Sequence, residues 1–375
     1  MKIIKEGITP RQLLFSVIAF IQSSSMITSY FTSVLKQNSW AGVLVAYLAG
    51  HIVLWVYLYL LKQHPGKSIV EINDALFGRI VGKVVSSLFI FYFFSLIVLN
   101  TYDVHSFIIG TMMPDTPSPV LALIFIAVPV LLVRKGMDSI ARTAAIFCFI
   151  VAVSFLIFSF LELEDMHPEY ILPILHMPVE NFIQGTHTIL VLPFCELIVF
   201  AMIIPSVDDQ KKVPKCFLLG YSFGALSLLF FVLIEIFVLG HAIEYFSLPG
   251  FEVVRLINLA DVISRMETLY ALVLYILRFF KVSVLIYACS LAFAQTTGMT
   301  EYRPFASVIA VLAALISLFV MESAAVNAEW GTETAAIYST FFNIVVPFLA
   351  LAVYLIRNTV KNKRAHKSTA NTAIQ

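Results

Sequence analysis

The chain consists of long apolar runs separated by short polar segments. A transmembrane helix needs about 20 mostly apolar residues to cross a hydrocarbon core about 30 Å thick. Ten runs meet or approach this length, and we predict a transmembrane helix in each. These predicted spans, numbered 1 to 10, cover residues 10–34, 40–61, 84–109, 118–133, 140–160, 184–205, 216–240, 264–295, 304–321 and 334–356. The pattern therefore predicts an all-α integral membrane protein.

Composition supports this prediction. Of the 375 residues, 60% are apolar and 13% are charged, and the mean hydropathy is +0.93. Soluble domains are typically about half apolar and about a quarter charged, so an ordinary soluble protein is excluded. The first apolar run is long and lacks a following small-residue cleavage site, so we expect it to be a span and not a cleaved signal peptide.

The positions of lysine and arginine predict the orientation in the membrane. Most of the 24 basic residues fall in the amino-terminal segment, in alternate loops such as those containing Lys67, Arg134 and Lys212, and in the tail 357–375. Cytoplasmic loops carry such an excess. Both termini are therefore predicted to be cytoplasmic, which requires an even number of spans. The basic tail is explained by this rule without any nucleic-acid partner.

An acidic, proline-rich segment, 161–183, contains no lysine or arginine and is predicted to be an outer loop. It divides one membrane domain into five spans in 1–160 and five in 184–356, followed by the basic tail. Halves with an odd number of spans must have opposite orientations. That is the arrangement of LeuT/APC-like transporters, whose 5+5 inverted repeat has a broken first helix in each half. We therefore predict breaks in spans 1 and 6.

Both spans contain residues that suit a break. In span 6 the sequence "VLPFCE" places a proline at mid-depth, where it frees backbone carbonyls. Span 1 carries "QSSSMIT", whose hydroxyls could either line a site or bond their own helix carbonyls. Helix ends at such breaks can hold an anion, and free carbonyls can accept an ammonium, so an amino acid would fit. The predicted ligand-binding residues are Ser23, Ser24, Ser25, Thr28, Leu192, Pro193, Phe194 and Glu196. The alternative is a proline kink with a small-residue packing seam.

Several charged residues lie within the predicted spans. A charge at mid-membrane costs at least about 2.5–3.5 kcal/mol on insertion scales, so we expect these charges to be paired. Arg278 and Lys281 share one face of span 8. Glu267 is roughly 16 Å from Arg278 along the axis, so Glu196 or Glu235 is the expected partner. The predicted charge network is Glu235, Arg265, Glu267, Arg278 and Lys281. These cations could be structural, or could occupy the place where a sodium-coupled relative holds an ion.

The remaining candidates favour no catalysis. Asp103, His105 and His187 lie near predicted span ends, where they could simply be solvated. The chain has no HExxH, GxSxG or P-loop motif, and its four cysteines show no CxxC spacing. We therefore expect no enzymatic activity, no cofactor and no metal site.

Four stretches carry a family resemblance. They are "ITPRQL" before span 1, Phe194-x-Glu196 and Ile204-Pro205 in span 6, and "SRMETLYALVLYILRFFKVSVLIYA" at span 8. The sequence resembles the permease-like B-subunit of bacterial spore germinant receptors, within the amino acid–polyamine–organocation transporter superfamily. It departs from that family in span 1, where Ser23-Ser24-Ser25 and Tyr30 replace a Gly-x-Gly and a proline.

The resemblance implies a sensor of an amino acid or similar nutrient in the spore inner membrane. Such a subunit would act with an A-type subunit and a lipoprotein C-type subunit, surrounded by membrane lipid. The alternative is an autonomous proton-coupled amino acid permease. Net uptake by the isolated chain would distinguish the two, since a sensor can bind its ligand without transporting it.

Overall fold

The computed structural model describes residues 7–257 and 266–372, with side chains as far as Val360, and these ranges are almost entirely helical. The first half contains α1 (Pro10–Gln22), α2 (Ser29–Leu35), α3 (Ser39–Gln63), α4 (Ile69–Phe77), α5 (Arg79–Thr111), α6 (Ser118–Lys135) and α7 (Met137–Leu161). The second half contains α8 (Val179–Ile189), α9 (Val213–Leu239), α10 (Pro249–Leu256), α11 (Met266–Thr297), α12 (Arg303–Ser317), α13 (Ala324–Glu329), α14 (Ala335–Thr340) and α15 (Val346–Thr372).

Within the described ranges, eight helical runs are long and apolar enough to cross a membrane, against ten predicted spans. The run Ser29–Gln63 joins α2 to α3, and Ala324–Val360 joins α13 to α15. Helices α1 and α12, with 13 and 15 residues, extend only about 20 and 22 Å. Each is shorter than the hydrocarbon core. The chain is thus an all-helical, multi-pass membrane protein, and the difference in count comes from these two short helices.

Two segments form the centre of the bundle. The run Val179–Met202, which begins with α8, is 83% buried over its apolar window, and α11 is 72% buried. In α6 and in α7, which lie on the outside, 28% of the apolar window is buried. Helix α11 packs against α5, α6 and α7, while α1 packs against α9 and α7 and α2 packs against α8. These two segments carry Glu196, Arg278 and Lys281, whereas Glu235 lies on α9.

The α-helical geometry of the first span is interrupted at the predicted serine run. Helix α1 ends at Gln22, residues Ser23–Ile27 form 3₁₀ turns, and α2 follows. The Ser23 hydroxyl donates to the Phe20 carbonyl at 2.7 Å, which satisfies a carbonyl that the tighter turns would leave free. The chain here changes pitch and stays helical, without an extended stretch.

The interruption of span 6 is longer. Residues Leu190–Phe194 form a π turn that contains Pro193, and Cys195–Met202 continue in 3₁₀ geometry. The Asn343 amide donates to the Val191 carbonyl at 3.0 Å, and the Tyr57 hydroxyl donates to the Cys195 carbonyl at 3.2 Å. Buried backbone groups in a membrane protein need such partners. Side chains from α3 and the α15 run therefore stabilise the irregular backbone around the proline.

The two interrupted segments are joined at one end of the bundle. Ile8, just before α1, forms an isolated parallel bridge with Val207, just after span 6. The Ile8 amide donates to the Ser206 carbonyl, and the Asp208 amide donates to the Ile8 carbonyl, both at 3.0 Å. Ile8 is fully buried. A displacement of one interrupted segment would therefore act directly on the other.

At the opposite end, the predicted acidic loop packs over the helices. The His167 amide donates to the Phe237 carbonyl at 2.8 Å, and the Leu175 amide donates to the Asn38 side chain at 2.7 Å. At the carboxyl terminus, α15 extends to Thr372. The predicted basic tail, which starts at residue 357, therefore begins as a continuation of this helix.

Candidate functional site

Two buried ion pairs join α11 to neighbouring segments, one to the interrupted sixth span and one to α5. Lys281 Nζ is 2.5 Å from Glu196 Oε2, and the two side chains are 1% and 4% exposed. One turn along α11, Arg278 Nη2 is 3.4 Å from Asp103 Oδ2. The structure thus pairs both intramembrane cations, with Glu196 as the partner of Lys281. At such depth an unpaired charge would be strongly destabilising.

Polar groups around Arg278 complete the second pair. Arg278 Nη1 donates to the side-chain oxygen of Asn100, and Asn327 donates to Asp103 Oδ1 at 3.3 Å. Asp103 and Asn100 are three residues apart on α5, so both face α11. Among the described residues, Arg278 Nε has no hydrogen-bond partner. The guanidinium therefore retains a donor that a bound anion could use.

Lys281 also contacts the first interruption. Its Nζ is 3.5 Å from the Ser24 hydroxyl and lies over the Phe20 ring, 4.9 Å from the centroid. A desolvated cation over an aromatic face gains about 2 kcal/mol. The lysine therefore links α11 to both interrupted segments at once, through Ser24 in the first span and Glu196 in the sixth.

A cavity of about 40 Å³ lies at these pairs. It is lined by Ile27, Tyr30, Leu96, Leu99, Asn100, Asp103, Leu192, Glu196, Arg278, Lys281, Trp330, Ala335, Tyr338 and Ser339. A water needs about 10–15 Å³ of such space, so about three waters fit. The site is therefore closed in this conformation, and an amino acid could enter only after the segments move apart.

A larger cavity of about 330 Å³ adjoins the small one, on the side of α10 and α13. Of the described residues that line them, the two cavities share Ile27, Tyr30 and Asp103. Gly331, in a π turn of the last helical run, lies so close to the Tyr30 ring that a Cβ there would overlap it. Tyr30 and Asp103 thus form the partition between the two spaces.

Glu235 bonds to Thr28, whereas the sequence left it open as a partner of Arg278 or Lys281. It is 1% exposed, and its Oε1 accepts a hydrogen bond from the Thr28 hydroxyl at 2.9 Å. Among the described residues, its other oxygen has no hydrogen-bond partner. The contact fastens the end of the first interruption to α9. Thr28, predicted to bind ligand, is thereby engaged with protein.

The other predicted ligand residues are distributed around the site. Leu192 and Glu196 line the small cavity, whereas Pro193 and Phe194 are buried in packing, with the Phe194 ring 5.2 Å from that of Tyr221. Ser23 bonds within its own helix. Ser25 lines a separate cavity on the side of the bundle.

The predicted charge network also included Glu267 and Arg265. Glu267 is in the first turn of that helix, well before Arg278 along the axis. Arg265 lies outside the described residues. The structure therefore brings together Arg278 and Lys281 with Glu196, while Glu235 bonds elsewhere.

Three polar residues of the site were not predicted from the sequence, and Asp103 was named only as a charge that could simply be solvated. Asp103 is only 12% exposed and is paired with Arg278. Asn100 was not singled out, although its spacing from Asp103 signalled a shared polar face on α5. Tyr30 was noted only as a departure from the family pattern, and Asn327 carried no such signal. His105 is buried as well, and His187 lies 2.7 Å from the Thr340 hydroxyl.

The chain is similar to known proteins. The family model described as "Spore germination protein" matches residues 7–328. Spore germination protein KB of Bacillus subtilis (strain 168) is 25% identical over 289 residues, which are 76% of this chain and 77% of that protein. The putative spore germination protein YfkT of the same organism is 29% identical over 249 residues, 63% of this chain and 64% of that one.

A solved structure shares the fold. It is that of Mhp1, a nucleobase-cation-symport-1 family transporter in a closed conformation with bromovinylhydantoin bound. The TM-score is 0.67 at 14% sequence identity, and the match covers 90% of this chain and 76% of that one. At this identity the likeness establishes a transporter-type helical fold.

Proposed function

This chain belongs to the spore germination protein family, and we propose that it is a nutrient-sensing subunit of a germinant receptor with an amino acid as its ligand. The observation that supports this most directly is the double ion pair at the small cavity. A free amino acid carries one ammonium and one carboxylate. Glu196 and Asp103 complement the first, and Lys281 and Arg278 complement the second.

The proposal includes a ten-span architecture with a 5+5 inverted repeat. In it, α1, the 3₁₀ turns and α2 make one span, and the short α12 makes another. Two observations support this: the match of a transporter over 90% of the chain, and irregular turns in both the first and the sixth predicted spans. The predicted cytoplasmic orientation of both termini belongs to the same proposal.

Ligand binding in this proposal exchanges protein ion pairs for ligand contacts. The ligand ammonium contacts Glu196 and the ligand carboxylate contacts Lys281. The 2.5 Å contact between these two side chains therefore opens. Ser24, already 3.5 Å from Lys281, adds a hydroxyl to the carboxylate side. The Val191 and Cys195 carbonyls have protein partners, so the ammonium is assigned to the carboxylates instead.

The signal then travels through the interrupted segments. Glu196 lies in the 3₁₀ stretch that ends beside the bridge between Ile8 and Val207. A shift of this stretch therefore moves the start of α1 at the far end of the bundle. We assign that end to the contact with the A-type subunit, within a complex in the spore inner membrane that also contains the C-type subunit.

Ligand-dependent thermal stabilisation of the purified protein, screened over the amino acids, tests the proposal. Glu196→Gln removes a charge-assisted contact, so it should weaken the response at least about tenfold. Glu301→Gln, in an exposed pair with Arg303, is the matched control and should behave as wild type. Germination dose–response curves at matched receptor levels should show the same order.

Two results would contradict the proposal. If no amino acid stabilises the wild-type protein, the ligand class is wrong. If the isolated chain in liposomes accumulates an amino acid when a proton gradient is imposed, the chain is a permease in its own right.

A further inference from the structure

A third cavity, of about 480 Å³, opens on the side of the bundle between α7, α9 and α11. Its rim carries Leu156, Phe223 and Leu226, which are exposed apolar residues on membrane-spanning runs. The cavity therefore opens towards the hydrocarbon of the bilayer. Inside the bundle it reaches Gln22 and Ser25, where α1 changes to 3₁₀ turns. It is separate from the closed cavity at the ion pairs.

The residues that line this cavity favour an uncharged ligand. Among the described residues that line it, none is charged. The Ser227 hydroxyl is already engaged, since it donates to the Gly224 carbonyl at 2.7 Å. Gln22 is different, because its side-chain oxygen is buried and has no hydrogen-bond partner among the described residues. The space is thus mostly apolar, with the unmet Gln22 oxygen at its inner end.

We propose that this cavity binds a neutral, membrane-dissolved amphiphile with a single aliphatic chain and a hydroxyl head group. A charged head is disfavoured because no lining residue can pair with it inside the membrane. A plain acyl chain would fill the space but leave Gln22 unmet, which is costly for a buried polar group. A hydroxyl both donates and accepts, so it satisfies the Gln22 amide in either orientation.

The cavity lies next to the first interruption. Gln22 is the last residue of α1, two positions before Ser24, which contacts Lys281. A molecule hydrogen-bonded to Gln22 would therefore hold the first interruption in its present geometry. The lateral site is placed to modulate the central one without overlapping it.

Photolabelling of the full-length protein in lipid nanodiscs tests the proposal. The probes are a long-chain alcohol that carries a diazirine in its chain and the matching diazirine alkane. We expect labelling of α7 and α9 peptides, with the alcohol preferred about fivefold, the value of one neutral hydrogen bond. Gln22→Met keeps the size of the side chain and should abolish this preference while alkane labelling persists.

Two neighbouring substitutions keep the test decisive if the Gln22 variant folds poorly. Ala152 lines the cavity, so Ala152→Phe should reduce labelling by both probes. Val153 is the next residue on α7, is exposed and does not line the cavity, so Val153→Phe should leave labelling unchanged. Equal labelling of the wild type by alcohol and alkane would show an ordinary lipid-chain groove. Labelling that Ala152→Phe does not reduce would place the probes elsewhere. Either result overturns the proposal.

Discussion

Replacing Lys281 with methionine should destabilise the protein by about 3–5 kcal/mol, since it leaves Glu196 buried without its cation. Glu196 is 4% exposed and lies 2.5 Å from the lysine nitrogen. Methionine has a similar length, so contact with the Phe20 ring is largely kept and the loss is electrostatic. The reverse change, Glu196→Gln, should cost less. It leaves Lys281 with the Ser24 hydroxyl at 3.5 Å and the aromatic face.

The double substitution separates pairing from packing. Lys281→Met with Glu196→Gln removes both charges, and replacing a buried pair with neutral groups is often close to neutral. The coupling energy should therefore approach the sum of the costs of the two single changes. The pair Arg142–Asp138 on α7 is the control, at 2.8 Å but 73% and 35% exposed. Its coupling should not exceed about 1 kcal/mol.

Denaturant titration in detergent micelles, followed by the fluorescence of the three tryptophans, measures all of these variants. The wild type, the two single variants and the double variant must be compared in the same detergent, because the detergent is part of the unfolded reference state. If the double variant is as unstable as the sum of its single changes, the two residues are not coupled. The ion pair would then not be what holds the interrupted segments to α11.

Three further predictions follow from the surrounding contacts. Asn343→Leu should destabilise the protein by about 1–3 kcal/mol in the same titration, because it leaves the buried Val191 carbonyl without its 3.0 Å donor. Burial raises the pKa of Glu162, just beyond α7, from 4.5 to about 7. The folded state therefore favours the protonated acid, and stability should fall by about 1–3 kcal/mol as pH rises from about 4.5 to about 7. Glu162→Gln should flatten this pH dependence of unfolding, and an unchanged slope would show that another group causes it. A cysteine at Glu169 should react with an impermeant reagent from outside and one at Lys212 only from the cytoplasm; the opposite pattern would refute the proposed orientation.

The helical runs and the place of the second interruption were predictable from local sequence. A run of apolar residues forms a helix in lipid because its backbone bonds are all internal. Pro193 lacks an N–H wherever it stands, so a disturbed helix around it follows from covalent structure. The geometry of the first interruption was less predictable. Serines can either line a site or bond their own turns, and Ser23 does the second.

The pairing of charges depended on information that the sequence does not hold. The sequence allowed Glu196 or Glu235 to neutralise the cations, because their depth is similar. Which one does so depends on the rotation of each helix about its axis, which packing against neighbours sets. The pairing of Asp103 with Arg278 was not predicted for the same reason. Its position in an apolar run gives a depth, but only the packing of α5 on α11 turns it towards Arg278.

The closed cavity and the paired charges together determine what a ligand must do. Without ligand, Lys281 and Glu196 satisfy each other, so the closed state needs no bound molecule to be stable. A ligand that met only one of the two charges would leave the other buried and unpaired, which would favour the closed state again. A zwitterion can replace both partners at once. To reverse a 1:99 distribution between open and closed states, it would have to bind the open state about 10⁴-fold more tightly. Two charge-assisted contacts at each end of the ligand are of the size required, whereas a molecule with a single charge would not hold the segments open.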